Sequence, residues 1–111
     1  MASQSRQDCV DACDACADAC QRCAAACLQE DDVKMMARCI ALDMDCAAAC
    51  QFTAGAAARG SELIGAIAGL CAEICDACSA ECGGHDAEHC QACAAACREC
   101  AEACRRMSVG G

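Results

Sequence analysis

Cysteine is the abundant residue type in this chain that is most able to do chemistry, and it occupies 18 of 111 positions. In four segments the cysteines recur at alternating intervals of three and four residues, the a/d spacing that places side chains on one face of a helix. The four sets are Cys9, Cys13, Cys16, Cys20, Cys23 and Cys27; Cys39, Cys46 and Cys50; Cys71, Cys75, Cys78 and Cys82; and Cys90, Cys93, Cys97, Cys100 and Cys104. We therefore predict helices that pack around a core of sulfur.

This repeated pattern indicates reactive thiols rather than ordinary core residues. A single free cysteine is often only a small buried hydrophobe. Ala or Val would fill the same space without the risk of oxidation, so a whole series in phase needs another reason. Disulfides are disfavoured, because cysteines three or four apart on a helix point in parallel rather than toward each other. Metal binding is the chemistry that fits best.

The spacing also bears on which metal is bound. Zinc and iron-sulfur sites use compact sets of ligands, usually on loops, whereas this series is continuous. Cu(I) is soft, prefers thiolate and thioether sulfur and accepts two or three such ligands. If neighbouring ions share sulfurs, we expect about half an ion to one ion per cysteine, on the order of ten to twenty Cu(I) ions per chain.

Two other functions remain as alternatives at this point. One is sequestration of zinc or cadmium in the manner of a metallothionein. The other is a thiol oxidoreductase, suggested by five Cys-x-x-Cys units. These units lie in the middle of the predicted helices, whereas a redox motif usually lies at a helix start, where the dipole lowers the pKa of one thiol. We therefore expect a binding protein and not an enzyme.

The elements that must position the cysteines are four long helices in one domain spanning residues 1–111. The chain has no proline and is rich in alanine, which favours uninterrupted helices. Their predicted ranges are about 7–28, 33–53, 62–82 and 86–107. Short links between helices of similar length predict an all-α, antiparallel up-down four-helix bundle.

Polar residues mark the predicted helix starts. Ser5 and Asp8 have the spacing of a capping box before the first helix. Asp31 or Asp32 can cap the second helix, and Ser61 can cap the third.

Glycines mark the predicted helix ends. Gly55 and Gly60 are expected to frame the loop between the second and third helices, and Gly83 with Gly84 to end the third.

An antiparallel bundle brings several further metal donors to one end. Met36 and Asp43 lie on the second helix at positions in phase with its cysteines, so they should face the core. Burying a carboxylate there costs free energy unless it has a hydrogen-bond partner. His85 and His89 lie at the start of the fourth helix, one turn apart. We count Met36, Asp43, His85 and His89 with the cysteines as candidate metal ligands, and we expect Ile64 and Ile67 to close the opposite end.

Charge and hydropathy exclude other classes of function. The formal net charge of −9 argues against nucleic acid as a partner, because binding to phosphates needs a surplus of Lys and Arg. No apolar run is long enough to span a membrane, and residues 1–8 have no apolar stretch of the kind a secretory signal needs. We expect a cytosolic protein, and in that reducing compartment abundant cysteine favours metal binding over disulfides.

Over about residues 7–107 the sequence resembles the bacterial copper storage proteins. The resemblance rests on the cysteine series of all four helices, on Asp43 within the second, and on the stretch HDAEHCQAC that opens the fourth. It implies a four-helix bundle that stores and detoxifies Cu(I) in the cytosol and assembles as a homotetramer. It also implies that His85 and His89 flank the mouth of the bundle. A protein that delivers or accepts copper is a candidate partner.

Three assignments have a plainer alternative. The two histidines can instead form a helix cap or a solvated surface pair. Met35 and Met36 can be thioether donors or ordinary filler, with Met36 the better candidate for a donor. A second apolar stripe on the third helix can serve contacts between subunits or pack against a neighbouring helix. That stripe comprises Leu63, Ile67, Leu70 and Ile74.

Overall fold

The computed structural model describes residues 2–110, with side chains for residues 4–108. It contains four long helices, and a short 3₁₀ helix precedes the second. The helices are α1, Ala2–Cys27; α2, Ala37–Arg59, preceded by the 3₁₀ helix Val33–Met36; α3, Ile64–Gly83; and α4, Glu88–Gly110. The predicted all-α fold is confirmed. Met1 and Gly111, the ends of the predicted domain, lie outside the described residues.

Contacts between cysteines of different helices define the topology. The contacting pairs are Cys13–Cys104, Cys16–Cys97 and Cys27–Cys90 between α1 and α4; Cys39–Cys82, Cys46–Cys75 and Cys50–Cys71 between α2 and α3; and Cys27–Cys39 and Cys16–Cys46 between α1 and α2. In each pair of helices one number rises as the other falls, so neighbouring helices run antiparallel. Each helix packs on the helices before and after it, and α4 packs on α1, which closes the bundle.

Two predicted features at helix ends are wrong. Helix α1 begins at Ala2, so Ser5 lies inside it and does not cap it. Its first turns are helical because no glycine or proline interrupts them and because Gln4 donates a 2.8 Å side-chain hydrogen bond to Asp8 one turn later. Helix α2 continues through Gly55 to Arg59, since the surrounding alanines favour helix. Gly60 alone ends it, with φ 67° and ψ 43°, a left-handed conformation suited to glycine.

The remaining helix ends lie close to the predicted positions. The Asp32 carboxylate accepts a 3.3 Å hydrogen bond from the Met35 backbone N–H and so caps the 3₁₀ helix. The Ser61 hydroxyl accepts one from the Leu63 N–H at 3.1 Å, just before α3 begins. Helix α3 begins at Ile64 and ends at Gly83, two residues and one residue later than predicted. Helix α4 begins at Glu88, two residues later than expected, and extends three residues further.

The bundle is a narrow rod that measures 45 × 17 × 17 Å. Every cysteine is buried, with at most 1% of its surface exposed. Alanines fill much of the remaining interface, and their small side chains let the helices approach closely. None of the described helices is both long and apolar enough to cross a membrane. The fold therefore places eighteen thiols in one dry column along the axis of a thin bundle.

Candidate metal centre

The cysteines form a continuous column of non-bonded sulfur contacts. All eighteen are free thiols. The sulfur atoms of Cys39 and Cys82 are 3.2 Å apart, and those of Cys16 and Cys97 are 3.6 Å apart. A disulfide bond would require about 2.05 Å. The column therefore presents a large number of thiols whose sulfur atoms face one another across the bundle.

Within the column, sets of four sulfur atoms lie within 4.8 Å of one another. These sets include Cys13, Cys71, Cys100 and Cys104; Cys16, Cys46, Cys50 and Cys75; Cys16, Cys20, Cys46 and Cys97; Cys20, Cys78, Cys93 and Cys97; and Cys23, Cys27, Cys39 and Cys90. Several cysteines belong to two sets, for example Cys16 and Cys46. The sites are therefore not separate cages, and one sulfur can bridge two ions.

Among the described side chains, Asp43 is the one fully buried carboxylate, and it lies inside the column. Its Oδ1 accepts hydrogen bonds from three thiols, those of Cys93 at 3.2 Å and of Cys78 and Cys82 at 3.3 Å. Its Oδ2 lies 3.9 Å from the sulfur of Cys39. The cost of burying this residue is offset by these partners. Asp43 lies one helical turn from Cys39, among the thiols of the column.

Burial raises the pKa of Asp43 to about 8. The same effect acts on the thiols nearest the α1–α2 turn. Burial raises the pKa of the Cys23 and Cys39 thiols, and it raises the pKa of Cys90 to about 11. An isolated negative charge is unfavourable in this dry interior. The metal-free column therefore holds these thiols protonated, and their protons must leave when a cation binds.

Cys23, Cys27, Cys39 and Cys90 form one end of the column, and His89 lies beside them. We call these four cysteines and His89 the mouth group. The Nδ1 atom of His89 lies 3.5 Å from the sulfur of Cys90, 3.6 Å from that of Cys23 and 3.9 Å from that of Cys27. The ring is a quarter exposed, so it joins the thiol column to the solvent. Its Nε2 atom makes a 2.8 Å hydrogen bond to Glu30, in the turn after α1.

Met36 and His85, the other donors predicted at this end, differ in burial and in their contacts. Met36 is buried in the core, whereas Met35 is largely exposed. The hydrogen-bond partner of His85 is Glu81, at 2.8 Å from Nε2, and not a thiol. Hydrogen bonds from His85 and then Arg38 lower the pKa of Glu81. The structure thus buries Met36 in the core, brings His89 to three thiols of the column and places His85 in a pair with Glu81.

The opposite end of the bundle is closed by apolar packing. Ile64 and Met107 are buried there, as is Thr53, whose hydroxyl donates a 2.7 Å hydrogen bond to the Ala49 carbonyl. Ile67 packs partly buried against the same core. The two ends therefore differ in chemistry, since one offers sulfur and imidazole and the other mostly hydrocarbon.

Overlapping sets of buried thiols suit a soft monovalent cation. Each thiol that loses its proton leaves a negative charge and each bound monovalent cation brings a positive one, which limits the net charge of the core. The sequence profile of the copper storage protein family matches residues 2–109. This chain belongs to the copper storage protein family.

Solved structures of other family members share this architecture. Copper storage protein 3 of Bacillus subtilis, in its Cu(I)-bound form, is 44% identical, with a TM-score of 0.89 over 94% of this chain and 98% of that one. The cytosolic copper storage protein of Streptomyces lividans, with five coppers, is 39% identical, with a TM-score of 0.96 over 99% of this chain and 97% of that one. The cysteine-rich protein YhjQ of Bacillus subtilis is 45% identical over 78 residues, which cover 70% of this chain and 72% of YhjQ.

Membership of a copper storage family fits the unusual core, because its sets of buried thiols could hold several metal ions. The resemblance seen in the sequence is confirmed. All the predicted cysteine positions face the core. Glu30 was not predicted as a functional residue, because it stands in the acidic run Glu30–Asp32 and looks like an ordinary loop residue. No signal in the sequence pairs it with His89, because the two are 59 positions apart and meet only through the fold.

Proposed function

We propose that this protein stores many Cu(I) ions in the cytosol and that all eighteen core thiols are ligands. The overlap between sets of four buried sulfurs is the observation that carries the proposal. Cu(I) accepts two or three sulfur ligands, so it can occupy adjacent positions along such a column. The Bacillus subtilis relative is described as Cu(I)-bound and the Streptomyces lividans relative as cytosolic, which supports both the ion and the compartment. Storage limits the toxicity of free copper.

A variant that lacks the central cysteines tests the ligand assignment. The six residues to be changed to Ala are Cys16, Cys20, Cys75, Cys78, Cys93 and Cys97. Ala is the best helix former, so the variant should stay helical while its Cu(I) capacity falls steeply. Anaerobic titration with Cu(I), followed by mass measurement, gives the capacity, and circular dichroism reports the helix content. Unchanged capacity in a helical variant would place the copper outside the bundle and refute the assignment.

Zinc or cadmium is the competing cargo, since four thiolates also form the tetrahedral set that zinc prefers. The shared sulfurs favour Cu(I), because structural zinc sites are usually closed sets of four. Competition for each ion against a chelator of known affinity decides between them. We expect Cu(I) to be retained more strongly than zinc by orders of magnitude, and the reverse order would overturn the assignment of the ion.

We further infer that storage, and not thiol redox catalysis, is the role of the Cys-x-x-Cys units. A catalytic thiolate must reach its substrate, whereas every cysteine here is buried. Reduction of a disulfide substrate by the metal-free protein at ordinary enzyme rates would contradict this inference.

We propose that copper enters and leaves through the mouth group, with Met36 as a further donor. His89 lies beside three thiols and is partly exposed, while apolar side chains pack at the other end. Imidazole and thioether bind Cu(I) less tightly than thiolate, so they can pass ions inward without trapping them. Asp43 lies next on this path, and its carboxylate oxygen binds Cu(I) less tightly than the surrounding thiolates do.

Kinetics on a triple variant test this route. Changing His85 and His89 to Ala, with Met36→Leu, should slow uptake and chelator-driven release of Cu(I) but leave the final capacity nearly intact. Single variants separate the histidines, and we expect His89→Ala to account for most of the effect because His85 contacts Glu81 instead. Stopped-flow rates equal to those of the wild type in the triple variant would refute the route.

We also propose that the chain forms a homotetramer and exchanges copper with a delivering or accepting protein. Leu63 and Leu70 of the apolar stripe are exposed, as are Met44 and Phe52 on α2, which leaves apolar surface for contacts between subunits. Ile67 instead packs partly buried against the core of its own bundle. Light scattering coupled to size-exclusion chromatography measures the assembly, and a monomer at micromolar concentration would refute it.

A further inference from the structure

His89 is held at both of its ring nitrogens. On one side, Nε2 lies 2.8 Å from Oε2 of Glu30. On the other, Nδ1 lies 3.5–3.9 Å from the sulfur atoms of Cys90, Cys23 and Cys27. The ring therefore bridges a carboxylate at the surface and the thiols of the mouth group.

This arrangement determines which nitrogen carries the proton. An ionised carboxylate only accepts hydrogen bonds, so the Nε2 atom that contacts Glu30 must be the N–H donor. In neutral imidazole the other nitrogen then has a free lone pair, and here that nitrogen is Nδ1, which faces the sulfurs. We propose that Glu30 is a positioning residue that fixes the tautomer and orientation of His89, so that Nδ1 is presented to incoming Cu(I).

Glu30 is itself fixed relative to the thiols that His89 faces. Its backbone N–H donates a 3.1 Å hydrogen bond to the carbonyl of Cys27, and the N–H of Gln29 donates one of 3.0 Å to Ala26. The turn that carries Glu30 thus continues directly from the last turn of α1, which carries Cys27. Because one short segment supplies both a thiol and the carboxylate, the distance between them is set by local backbone geometry.

The chain also contains a second histidine–carboxylate pair, which provides an internal comparison. Nε2 of His85 lies 2.8 Å from Glu81, and Glu81 also accepts a hydrogen bond from Arg38. This bond has the same length as that between His89 and Glu30. Among the described residues, however, the His85 ring makes no hydrogen bond to a thiol. A carboxylate beside a histidine is therefore not enough, and it is the thiols on the far side of His89 that give Glu30 its role.

Nitrogen NMR of the metal-free protein tests the proposal without copper. The chain has two histidines, so long-range proton–nitrogen spectra of histidine-labelled protein are simple to assign. At pH about 8.5, above the usual range of imidazole protonation, wild-type His89 should show two well-separated nitrogen shifts with the proton on Nε2. In E30A and E30Q the two shifts should move toward each other, whereas E81A should affect His85 alone.

E30Q is the informative variant because glutamine keeps the size of the side chain. Its amide can either accept from or donate to Nε2, so it no longer selects one tautomer. Wild-type His89 shifts in E30Q, or a wild-type proton on Nδ1, would overturn the proposal.

Copper binding provides the second measurement, and here the inference rests on the proposed role of the mouth group. Loss of a residue that orients a metal-binding histidine typically reduces metal affinity or activity about 10–100-fold. We expect uptake and chelator-driven release of Cu(I) to be slower in E30A and E30Q by about this factor, with unchanged final capacity. The matched control is D31A, which removes one exposed carboxylate from the same turn and should behave as wild type.

H89A separates failure of this inference from failure of the proposed function. If H89A slows uptake and release of Cu(I) while E30A and E30Q do not, Glu30 has no positioning role and the mouth group stands. If H89A itself behaves as wild type, the mouth group is not the route and the role of Glu30 falls with it.

Discussion

The buried Asp43 should make the metal-free protein less stable as the pH rises. Burial raises the pKa of this carboxyl from 3.8 to about 8 in the folded chain. Between these two values the folded protein binds more protons than the unfolded protein, so the free energy of unfolding falls with increasing pH. The difference corresponds to roughly 6 kcal/mol, because one pKa unit represents about 1.4 kcal/mol.

D43N removes this titration while it preserves the shape of the side chain and an oxygen that can accept from the thiols. The free energy of unfolding of D43N should therefore stay nearly constant from pH about 4 to 7, where that of the wild type declines by several kcal/mol. Relative to wild type, the variant should gain stability steadily across this window. The fully buried position and the three thiol donors make the effect specific to Asp43.

Urea denaturation followed by circular dichroism, under anaerobic and metal-free conditions, measures the effect. The comparison ends near pH 7 because the thiols of the unfolded chain, with pKa values of about 8.5, begin to ionise above it. D45N is the matched control, since Asp45 is exposed on the same helix and should leave the pH dependence unchanged. Parallel stability curves for D43N and wild type would refute the argument from desolvation.

Three further predictions concern folding and loading. The metal-free protein should give a helical circular dichroism spectrum, because Ala favours helix and protonated Cys tolerates burial, and Cu(I) should raise its melting temperature; a random-coil spectrum without metal would mean that the fold depends on ligation. Loading at pH 7 should release up to one proton per thiol, at most 18 per chain; a pH-stat titration without proton release would exclude thiolate ligation. Gly60→Ala should destabilise the fold by roughly 1–2 kcal/mol, because φ is 67° there, whereas Gly55→Ala inside α2 should be neutral or stabilising; equal effects in urea denaturation would contradict the assigned helix end.

The cysteine periodicity was enough to predict the bundle and its core, because residues at heptad spacing share one face of a helix, and that face is buried when helices pack against one another. The same reasoning placed the helix ends less well. Gly55 suggested a loop, but glycine inside a helix costs only about 1 kcal/mol relative to alanine, and the alanines around it outweigh that cost. Ser5 had the spacing of a cap, yet nothing before it stops the helix from starting at Ala2.

What the sequence by itself determined is the inventory of the core: eighteen thiols, one carboxylate and their order along four helices. It could not assign the two histidines, since both stand near a helix start and only the packing of α4 against α1 turns His89 toward thiols and leaves His85 with Glu81. Likewise, the contacts of Asp43 with Cys93 and of Glu30 with His89 join residues that are far apart in the chain. Periodicity fixes which face of a helix a residue occupies, but the contacts between faces are decided by how the helices pack.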